Sequence, residues 1–272
     1  MSFFGSSESN FPPVIKNIII INVILFLATF LPAATDFMST HLALYSLKSP
    51  MFEPHQVVTH MFMHANFGHI FFNMFGVFMF GRVLEQVWGS KRMLIFYTVT
   101  GLGAAAIHLT VNYLQMNHMM NLANEFIQNP TYLGFDQFVE KYLHGRASDY
   151  VTNFMQNWFY KPDDASFIPE AKNIVNGIIQ YNLSIPTVGA SGAVFGLLVA
   201  FAMLFPDVEL MLIFLPIPIK AKYFIPVYAL LELFLGVANF KGDNIAHFAH
   251  LGGALFGFLL VKYWKRNQFR IY

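Results

Sequence analysis

The sequence contains no cysteine, and only 11% of its 272 residues are charged. The absence of cysteine excludes disulfides, thiolate metal sites and cysteine nucleophiles. The low charge argues against a soluble domain, in which about 25% of residues are charged. A net charge of +1 also argues against the clustered basic surface that binds nucleic acid. No small-residue cleavage site follows the first apolar run, so we interpret that run as a retained span and not as a removed signal peptide.

Apolar residues make up 56% of the chain and include 32 phenylalanines. Six segments approach the roughly 20 apolar residues that a helix needs to cross the hydrocarbon of a bilayer. They are residues 17–34, 69–88, 92–114, 187–205, 223–240 and 245–264. Lipid cannot satisfy open backbone groups, so these spans must be helical. The predicted fold class is therefore an all-α polytopic membrane protein with a six-helix bundle.

The short loops predict how the bundle is oriented. One set of loops and the tail hold many of the basic residues: Lys91, Arg92, Lys220, Lys222, Lys262, Lys265, Arg266 and Arg270. With six spans these regions share one side, which the positive-inside rule makes cytoplasmic. We expect a multi-pass protein of the bacterial inner membrane with both termini in the cytoplasm, namely a short N-terminus at 1–16 and a tail at 265–272.

Residues 115–186 interrupt the pattern of spans, because they are polar, acidic and aromatic. Within them, 134–144 and 169–181 have apolar residues at helical spacing. We predict a small helical insert on the extracytoplasmic side. It separates spans one to three, within 17–114, from spans four to six, within 187–264. A partly disordered loop is the alternative.

Polar residues concentrate at the starts of spans two, four and six, which run inward. Span two opens with His69 and Asn73, span four carries Ser191, and span six carries His247 and His250. The topology therefore places a hydroxyl, imidazoles and further donors at one depth near the outer surface. Polar groups inside a membrane are functional candidates by default.

Small residues explain how two of these helices could approach each other. Two pairs have GxxxG spacing, Gly192 with Gly196 and Gly253 with Gly257. Such pairs let helix backbones pack closely. If the two faces meet, Ser191 and His250 come within hydrogen-bond reach, and a neutral imidazole could accept the serine proton. His69 and Asn73, four residues apart, project from one helix face and suit the stabilisation of an oxyanion.

Three segments resemble the rhomboid family of membrane proteins: HMFMHANFGHIFFNMFG (60–76), GASGAVFG (189–196) and AHLGGALFG (249–257). They lie on the appropriate spans in the appropriate order, and the resemblance covers the six-span core. It implies an intramembrane serine protease that uses a Ser–His dyad without a third acid and needs no cofactor. Its implied partners are transmembrane protein substrates in the lipid bilayer.

The resemblance also implies a role for individual residues. Ser191 looks like the nucleophile and His250 like the base. His69 and Asn73, with the backbone N–H of Ser191, look like the oxyanion hole. Phe195 occupies the place where the family puts an aromatic ring, often tyrosine, against the catalytic imidazole.

The chain departs from the family pattern in two places. His55 and Gln56 stand where the first outer loop of the family often carries Trp-Arg. Residues 115–186 have no counterpart in the minimal core, so the resemblance assigns them no role. The control of access to the site is therefore the part of the function that the sequence describes least.

Other polar residues have competing interpretations. His247 is a rival base, but the AHxxG register of His250 matches the family and leads into the glycine face. We expect His247 to pack against a neighbour or to hydrogen-bond a loop. His60 and His64 are four residues apart, yet no HExxH motif and no third ligand accompany them, so we predict no metal site and interpret both as loop-bracing residues. Glu85 is interpreted as a structural tie near the cytoplasmic surface. Glu232 is interpreted as an interior, hydrogen-bonded carboxylate to which the resemblance gives no role.

Two other functions remain as alternatives. One is a catalytically inactive rhomboid-like protein that binds membrane clients, although such relatives usually lack the serine, the histidine or both. The other is a small transporter. Two observations argue against it: the polar groups cluster at one depth, and no inverted repeat is visible. The oligomeric state is not indicated by any feature of the sequence.

Overall fold

The computed structural model describes residues 11–143, 147–212, 215–238 and 246–268. Their helices are α1 Pro13–Ala28, α2 Pro32–His41, α3 Gln56–Thr59, α4 Phe67–Gly76, α5 Arg82–Trp88, α6 Ser90–Gln128, α7 Tyr132–Leu143, α8 Asp149–Phe159, α9 Ile168–Leu183, α10 Ser191–Leu204, α11 Ala221–Ala238 and α12 His247–Gln268. Short 3-10 turns lie at His60–Phe62 and Ala165–Phe167, and a π-helical turn at Val77–Gly81 joins α4 to α5. Strands β1 Glu209–Leu212 and β2 Leu215–Lys220 form an antiparallel hairpin.

Three described helices are long and apolar enough to cross a membrane: Phe67–Trp88, Ser90–Gln128 and Ala221–Ala238. The pair formed by α1 and α2 gives a fourth candidate, bent by 119°. Helix α10 is apolar but has only 14 residues. Many large apolar side chains are exposed on these helices, as is expected where lipid is the solvent. Apart from the hairpin, the described part of the chain is built of α-helices and short helical turns, and its apolar helices are those of an integral membrane protein.

The first predicted span, 17–34, is divided into two helices. Helix α1 ends at Ala28, and α2 starts at Pro32. Proline has no N–H and its ring clashes with the preceding helical turn, so it is tolerated at the first position of a helix but not in the interior. The chain therefore bends at the proline instead of continuing as one straight helix.

Glu85 ties the start of α1 to α5. Its carboxylate oxygens accept backbone hydrogen bonds from Val14 at 3.0 Å and Ile15 at 2.9 Å, and a third bond from the hydroxyl of Ser90 at 2.7 Å. The first N–H groups of a helix have no acceptor within the helix, and a carboxylate also suits the positive end of the helix dipole. Glu85 is thus a capping group supplied from another helix.

Helix α6 is the longest element and extends well beyond the predicted third span. Its 39 residues measure about 58 Å, roughly twice the thickness of the hydrocarbon. The predicted boundary at residue 114 lies inside this helix, because no proline or glycine follows until Pro130. We call residues 115–143 and 147–183 the distal cluster.

The distal cluster has a hydrophobic core of its own. The last turns of α6 pack there with α7, α8 and α9 around buried residues that include Met119, Phe135, Trp158 and Val175. Of the two stretches predicted to be helical, 134–144 lies in α7 up to residue 143, with residue 144 outside the described residues, and 169–181 lies in α9. The membrane helices share a separate core that includes Ile15, Val77, Leu84, Phe96 and Leu197.

A hairpin that the hydropathy pattern does not predict lies between α10 and α11. In its register, Glu209 pairs with Lys220 and Leu210 with Ile219. Pro216 and Pro218 disfavour a helix here, and a two-stranded hairpin tolerates proline because both strands are edges. The hairpin separates α10 from α11.

Candidate active site

Ser191 is the first residue of α10 and follows a backbone that only glycine fits. Gly189 has a φ of +123°, and a Cβ there would lie 2.6 Å from Nε2 of His69. Glycine adopts this region without steric cost. The helix begins immediately afterwards, so the N–H groups of its first turn, including that of Ser191, have no acceptor within the helix. They are available donors beside the serine hydroxyl.

Helices α10 and α12 meet through their backbones. A Cβ on Gly253 would overlap the carbonyl oxygen of Gly192, and a Cβ on Gly257 would lie 2.9 Å from the Cα of Gly196. The two glycine pairs therefore face each other one to one. This contact brings the start of α10 beside the first turns of α12, which carry His250.

The ring of Phe195 fixes the position of His250. The two rings are stacked, with centroids 4.3 Å apart and planes inclined by 8°. Phe195 lies four residues after Ser191, so both project from the same face of α10. Ser191 and His250 line one cavity of about 2250 Å³. In the described structure their side chains make no direct hydrogen bond, and such bonds commonly tighten only when substrate is bound.

His69 and Asn73 reach the backbone just before Ser191. A Cβ on Gly189 would lie 2.6 Å from Nε2 of His69 and 3.5 Å from Nδ2 of Asn73. The backbone N–H of Ala65 donates to Nδ1 of His69 at 3.4 Å, which leaves the hydrogen of a neutral ring on Nε2. Nδ2 of Asn73 is buried without a hydrogen-bond partner. Nε2 of His69 and Nδ2 of Asn73 thus converge on the serine turn, and the donor of Asn73 is buried without an acceptor.

The loop that precedes α4 braces this turn. The carbonyl of His60 accepts the N–H of Gly189 at 2.9 Å, and Nδ1 of His60 donates to the carbonyl of Gln56 at 2.8 Å. Gln56 is fully buried and donates to the carbonyls of Met51 and Thr40. Burial lowers the pKa of His60 to about 4, so its ring is neutral at pH 7. Burial, with a smaller contribution from His69, likewise lowers the pKa of His64 to about 3.

Glu232 contacts both histidines of α12. One carboxylate oxygen lies 2.6 Å from Nδ1 of His247 and 2.9 Å from Nδ1 of His250. All three residues are buried. Their ligand atoms lie within 4.8 Å of one another, which makes this the described group that could geometrically hold a metal ion. The pair of His60 and His64 does not form such a group among the described residues.

A family model of the rhomboid domain matches residues 52–267, which include the serine turn, both histidines of α12 and the two donors of α4. The chain belongs to the rhomboid family. The resemblance seen in the sequence is thereby confirmed.

Two relatives of the rhomboid family are similar over different lengths. An uncharacterized mitochondrial rhomboid protein of Schizosaccharomyces pombe is 30% identical over 223 residues, which are 78% of this chain and 52% of the relative. A Bacillus subtilis protein named "Putative rhomboid protease YdcA" is 30% identical over 91 residues, which are 33% of this chain and 46% of the relative. The chain spans about half the length of the curated relatives that it matches.

Three features of this rhomboid site were not found by sequence reasoning. The contact between Glu232 and His250 joins residues on different helices, and the apolar sequence around Glu232 gave only the signal of an intramembrane carboxylate. The close approach of Gly189 to His69 depends on a positive φ, which a lone glycine does not reveal. The bond from Gly189 to the carbonyl of His60 involves only backbone atoms.

Proposed function

We propose that the protein is an intramembrane serine endopeptidase, with Ser191 as nucleophile and His250 as base. The observation that carries the proposal is the orphaned donor: Nδ2 of Asn73 is buried, unpaired and directed at the serine turn. A buried donor without a partner is costly, and such groups persist where function uses them. An oxyanion formed beside Ser191 would provide the missing acceptor.

The proposed chemistry follows the logic of a serine hydrolase. The hydroxyl of Ser191 attacks the carbonyl carbon of the scissile bond while His250 accepts its proton. Negative charge collects on the former carbonyl oxygen, where Nε2–H of His69, Nδ2–H of Asn73 and the N–H of Ser191 donate to it. His250 then returns the proton to the leaving amine, and an acyl-enzyme remains. Water, deprotonated by His250, hydrolyses the ester and releases the serine.

The proposed substrate is a transmembrane segment that enters from the side. The cavity that holds Ser191 and His250 runs between α4–α5 and α11, and its apolar lining includes Phe72, Met79 and Phe224. Helix α11 is little buried over its length and contains Pro226, which removes one of its helical hydrogen bonds. These properties suit a helix that moves to admit a chain. A substrate segment rich in small or helix-breaking residues unwinds more readily and should be preferred.

The proposed topology has six spans, with the distal cluster as an extracytoplasmic insert and both chain ends in the cytoplasm. Basic residues at the start of α6 and at the end of α12 lie on one side and support this: Nζ of Lys265 donates to the carbonyl of Met203 near the end of α10, and Arg92 lies over the ring of Trp264. Helix α10 is only about 21 Å long, so a serine at its outer end lies below the outer surface. The positive-inside rule supports this orientation. The proposed location is the bacterial inner membrane, which the Bacillus relative supports, whereas the Schizosaccharomyces pombe relative is mitochondrial.

A cleavage assay in lipid vesicles tests this function. The purified protein is mixed with a model transmembrane substrate that carries small, helix-breaking residues near one membrane boundary, and a Leu-rich version serves as the matched substrate. Ser191→Ala and His250→Ala should each lower cleavage about 10³-fold or more. Asn73→Ala should lower kcat by roughly 10²–10³-fold. Ser184→Ala, an exposed serine, is the control and should cleave at the parental rate.

Equal cleavage by the parent and by Ser191→Ala would contradict the proposal. If the parent and Ser191→Ala both bind the substrate and neither cuts it, an inactive client-binding protein is favoured instead. Passage of a small solute across the vesicle, blocked by Asn73→Ala, would favour a transporter.

A further inference from the structure

The inference concerns Glu232, an acidic residue in the middle of α11. Its side chain is about 5% exposed, and a single oxygen, Oε2, is within hydrogen-bond distance of two imidazoles. The distances to Nδ1 of His247 and of His250 are 2.6 Å and 2.9 Å. A carboxyl proton could serve only one of these nitrogens. An ionised carboxylate, which only accepts, satisfies both if each ring carries its hydrogen on Nδ1.

That arrangement selects one tautomer of His250. A neutral ring with its hydrogen on Nδ1 has its lone pair on Nε2, at the opposite side of the ring. Nε2 is then the nitrogen that can accept a proton from a hydroxyl in the cavity. The carboxylate also stabilises the positive charge that the ring acquires when it does so.

We propose that Glu232 is a positioning residue for His250, so that the site has three members rather than two. This inference rests on the proposed function of Ser191 and His250. Glu232 does not touch the reacting atoms. It holds the imidazole in one tautomer and orientation, and the stacked ring of Phe195 holds the plane of that imidazole.

The face of α11 around Glu232 is adapted to this contact. Gly236, one turn later, lies so close to α12 that a Cβ there would be 3.0 Å from the Cβ of His247. Tyr228, one turn earlier, has its ring 5.0 Å from that of Phe195. Residues four apart share one helix face. The same face therefore contacts both the start of α12 and the ring that stacks on His250.

A metal ion bound by Glu232, His247 and His250 is the competing account, since their ligand atoms are close together. A metal requires three lone pairs that converge on one point. Here the two imidazole nitrogens each lie at hydrogen-bond distance from the carboxylate oxygen. Two ligand atoms about 2.0 Å from a tetrahedral Zn²⁺ lie roughly 3.3 Å apart. The shorter distances here, 2.6 Å and 2.9 Å, favour hydrogen bonds and the positioning role.

Kinetics in vesicles provide the first test. In Glu232→Gln the side chain keeps its shape but loses its charge, and its amide can rotate to donate to Nδ1 and so impose the wrong tautomer. We expect kcat to fall about 10²–10⁴-fold with KM unchanged. Glu232→Asp keeps the carboxylate, so its kcat should be at least tenfold higher than that of Glu232→Gln. The control His247→Asn leaves the bond from Glu232 to His250 intact and should keep kcat within about fivefold of the parent.

The tautomer itself provides the second readout. Protein with ¹⁵N-labelled histidine, compared with His250→Gln for assignment, should show a protonated Nδ1 at His250 in the parent and a changed signal in Glu232→Gln. The unfolding temperature of Glu232→Gln serves as the control. If it equals that of the parent, a change in fold cannot explain why the proton has moved from Nδ1 of His250, and the lost carboxylate is the cause.

Three results would overturn the inference. They are a parental kcat in Glu232→Gln, an Nδ1 of His250 that is unprotonated in the parent, and loss of parental activity on dialysis against a chelator with recovery on addition of Zn²⁺. If the parent itself does not cleave, the proposed function fails, and the ¹⁵N signal of His250 still decides whether Glu232 sets the tautomer.

Discussion

In the membrane bundle, α10 and α12 meet through glycine backbones, whereas in the distal cluster α7, α8 and α9 meet through aromatic rings. A Cβ on Gly253 has no room beside Gly192. In the cluster, by contrast, the ring of Trp158 is 1% exposed and contacts the rings of Phe135 and Phe167.

The difference follows from the solvent around each region. Lipid gives little drive to bury apolar side chains, so membrane helices associate by close backbone packing and by polar contacts such as that of Glu232 with α12. Water drives large apolar rings together, and the proposed extracytoplasmic cluster is built in this way. The proposed catalytic geometry therefore depends on small residues, and the cluster depends on large ones.

The largest expected effect comes from adding one methyl group to the bundle. In Gly253→Ala the new Cβ meets the backbone of Gly192, which cannot rotate away, so α10 and α12 must separate. A shift of about 1 Å between catalytic groups costs roughly 100-fold in rate, and we expect a loss of that size in cleavage. Kinetics and thermal unfolding in detergent measure it.

The matched control is Gly177→Ala in α9 of the distal cluster. A Cβ at Gly177 has nothing within 4 Å. Alanine is the better helix former by about 1 kcal/mol, so this variant should be as active as the parent and as stable or slightly more so. Equal damage in both variants would contradict the contrast between the two regions.

Removal of a large ring should damage the distal cluster and leave the proposed active site in place. We expect Trp158→Ala to destabilise the cluster by about 3–5 kcal/mol, because the ring is fully buried. Limited proteolysis should cut within 129–168 sooner than in the parent. A fluorophosphonate, which reacts with activated serines, should still label Ser191.

The comparison variant is Tyr160→Ala, whose ring is 80% exposed and which should behave as the parent does. Loss of Ser191 labelling in Trp158→Ala would show that the cluster supports the site directly. That result would remove the independence of the two regions.

A smaller effect should appear on acidification, and it should come from the loop that braces the serine turn. The pKa of His60 is about 4 in the folded protein and 6.5 when unperturbed. The unfolded chain therefore binds a proton first, so stability is full above pH 6.5 and falls as the pH decreases from 6.5 to 4, by roughly 3 kcal/mol for His60. Thermal unfolding at several pH values measures the slope.

His60→Asn keeps a donor for the carbonyl of Gln56 and removes the titration, so its loss of stability over that range should be smaller. A variant with the same slope as the parent would assign the acid sensitivity to other groups. His64, whose pKa is about 3, is the next candidate.

The sequence could predict the membrane class and the approach of α10 to α12, because hydropathy and GxxxG spacing are local signals. It could also indicate His69 and Asn73, since residues four apart share a helix face. The bend before Pro32 is visible only as a lone proline within an otherwise continuous apolar run. The partner of Glu232 was hidden because it depends on how α11 rotates against α12, which no local pattern specifies.

Covalent labelling distinguishes an activated nucleophile at Ser191 from a structural hydroxyl. The purified protein in lipid is treated with a fluorophosphonate, and the modified residue is identified by mass spectrometry. If Ser191 is the nucleophile and His250 its base, we expect one adduct, on Ser191, that is lost in His250→Ala and retained in Gly177→Ala. No adduct on Ser191, or equal labelling of Ser191 with and without His250, would contradict it.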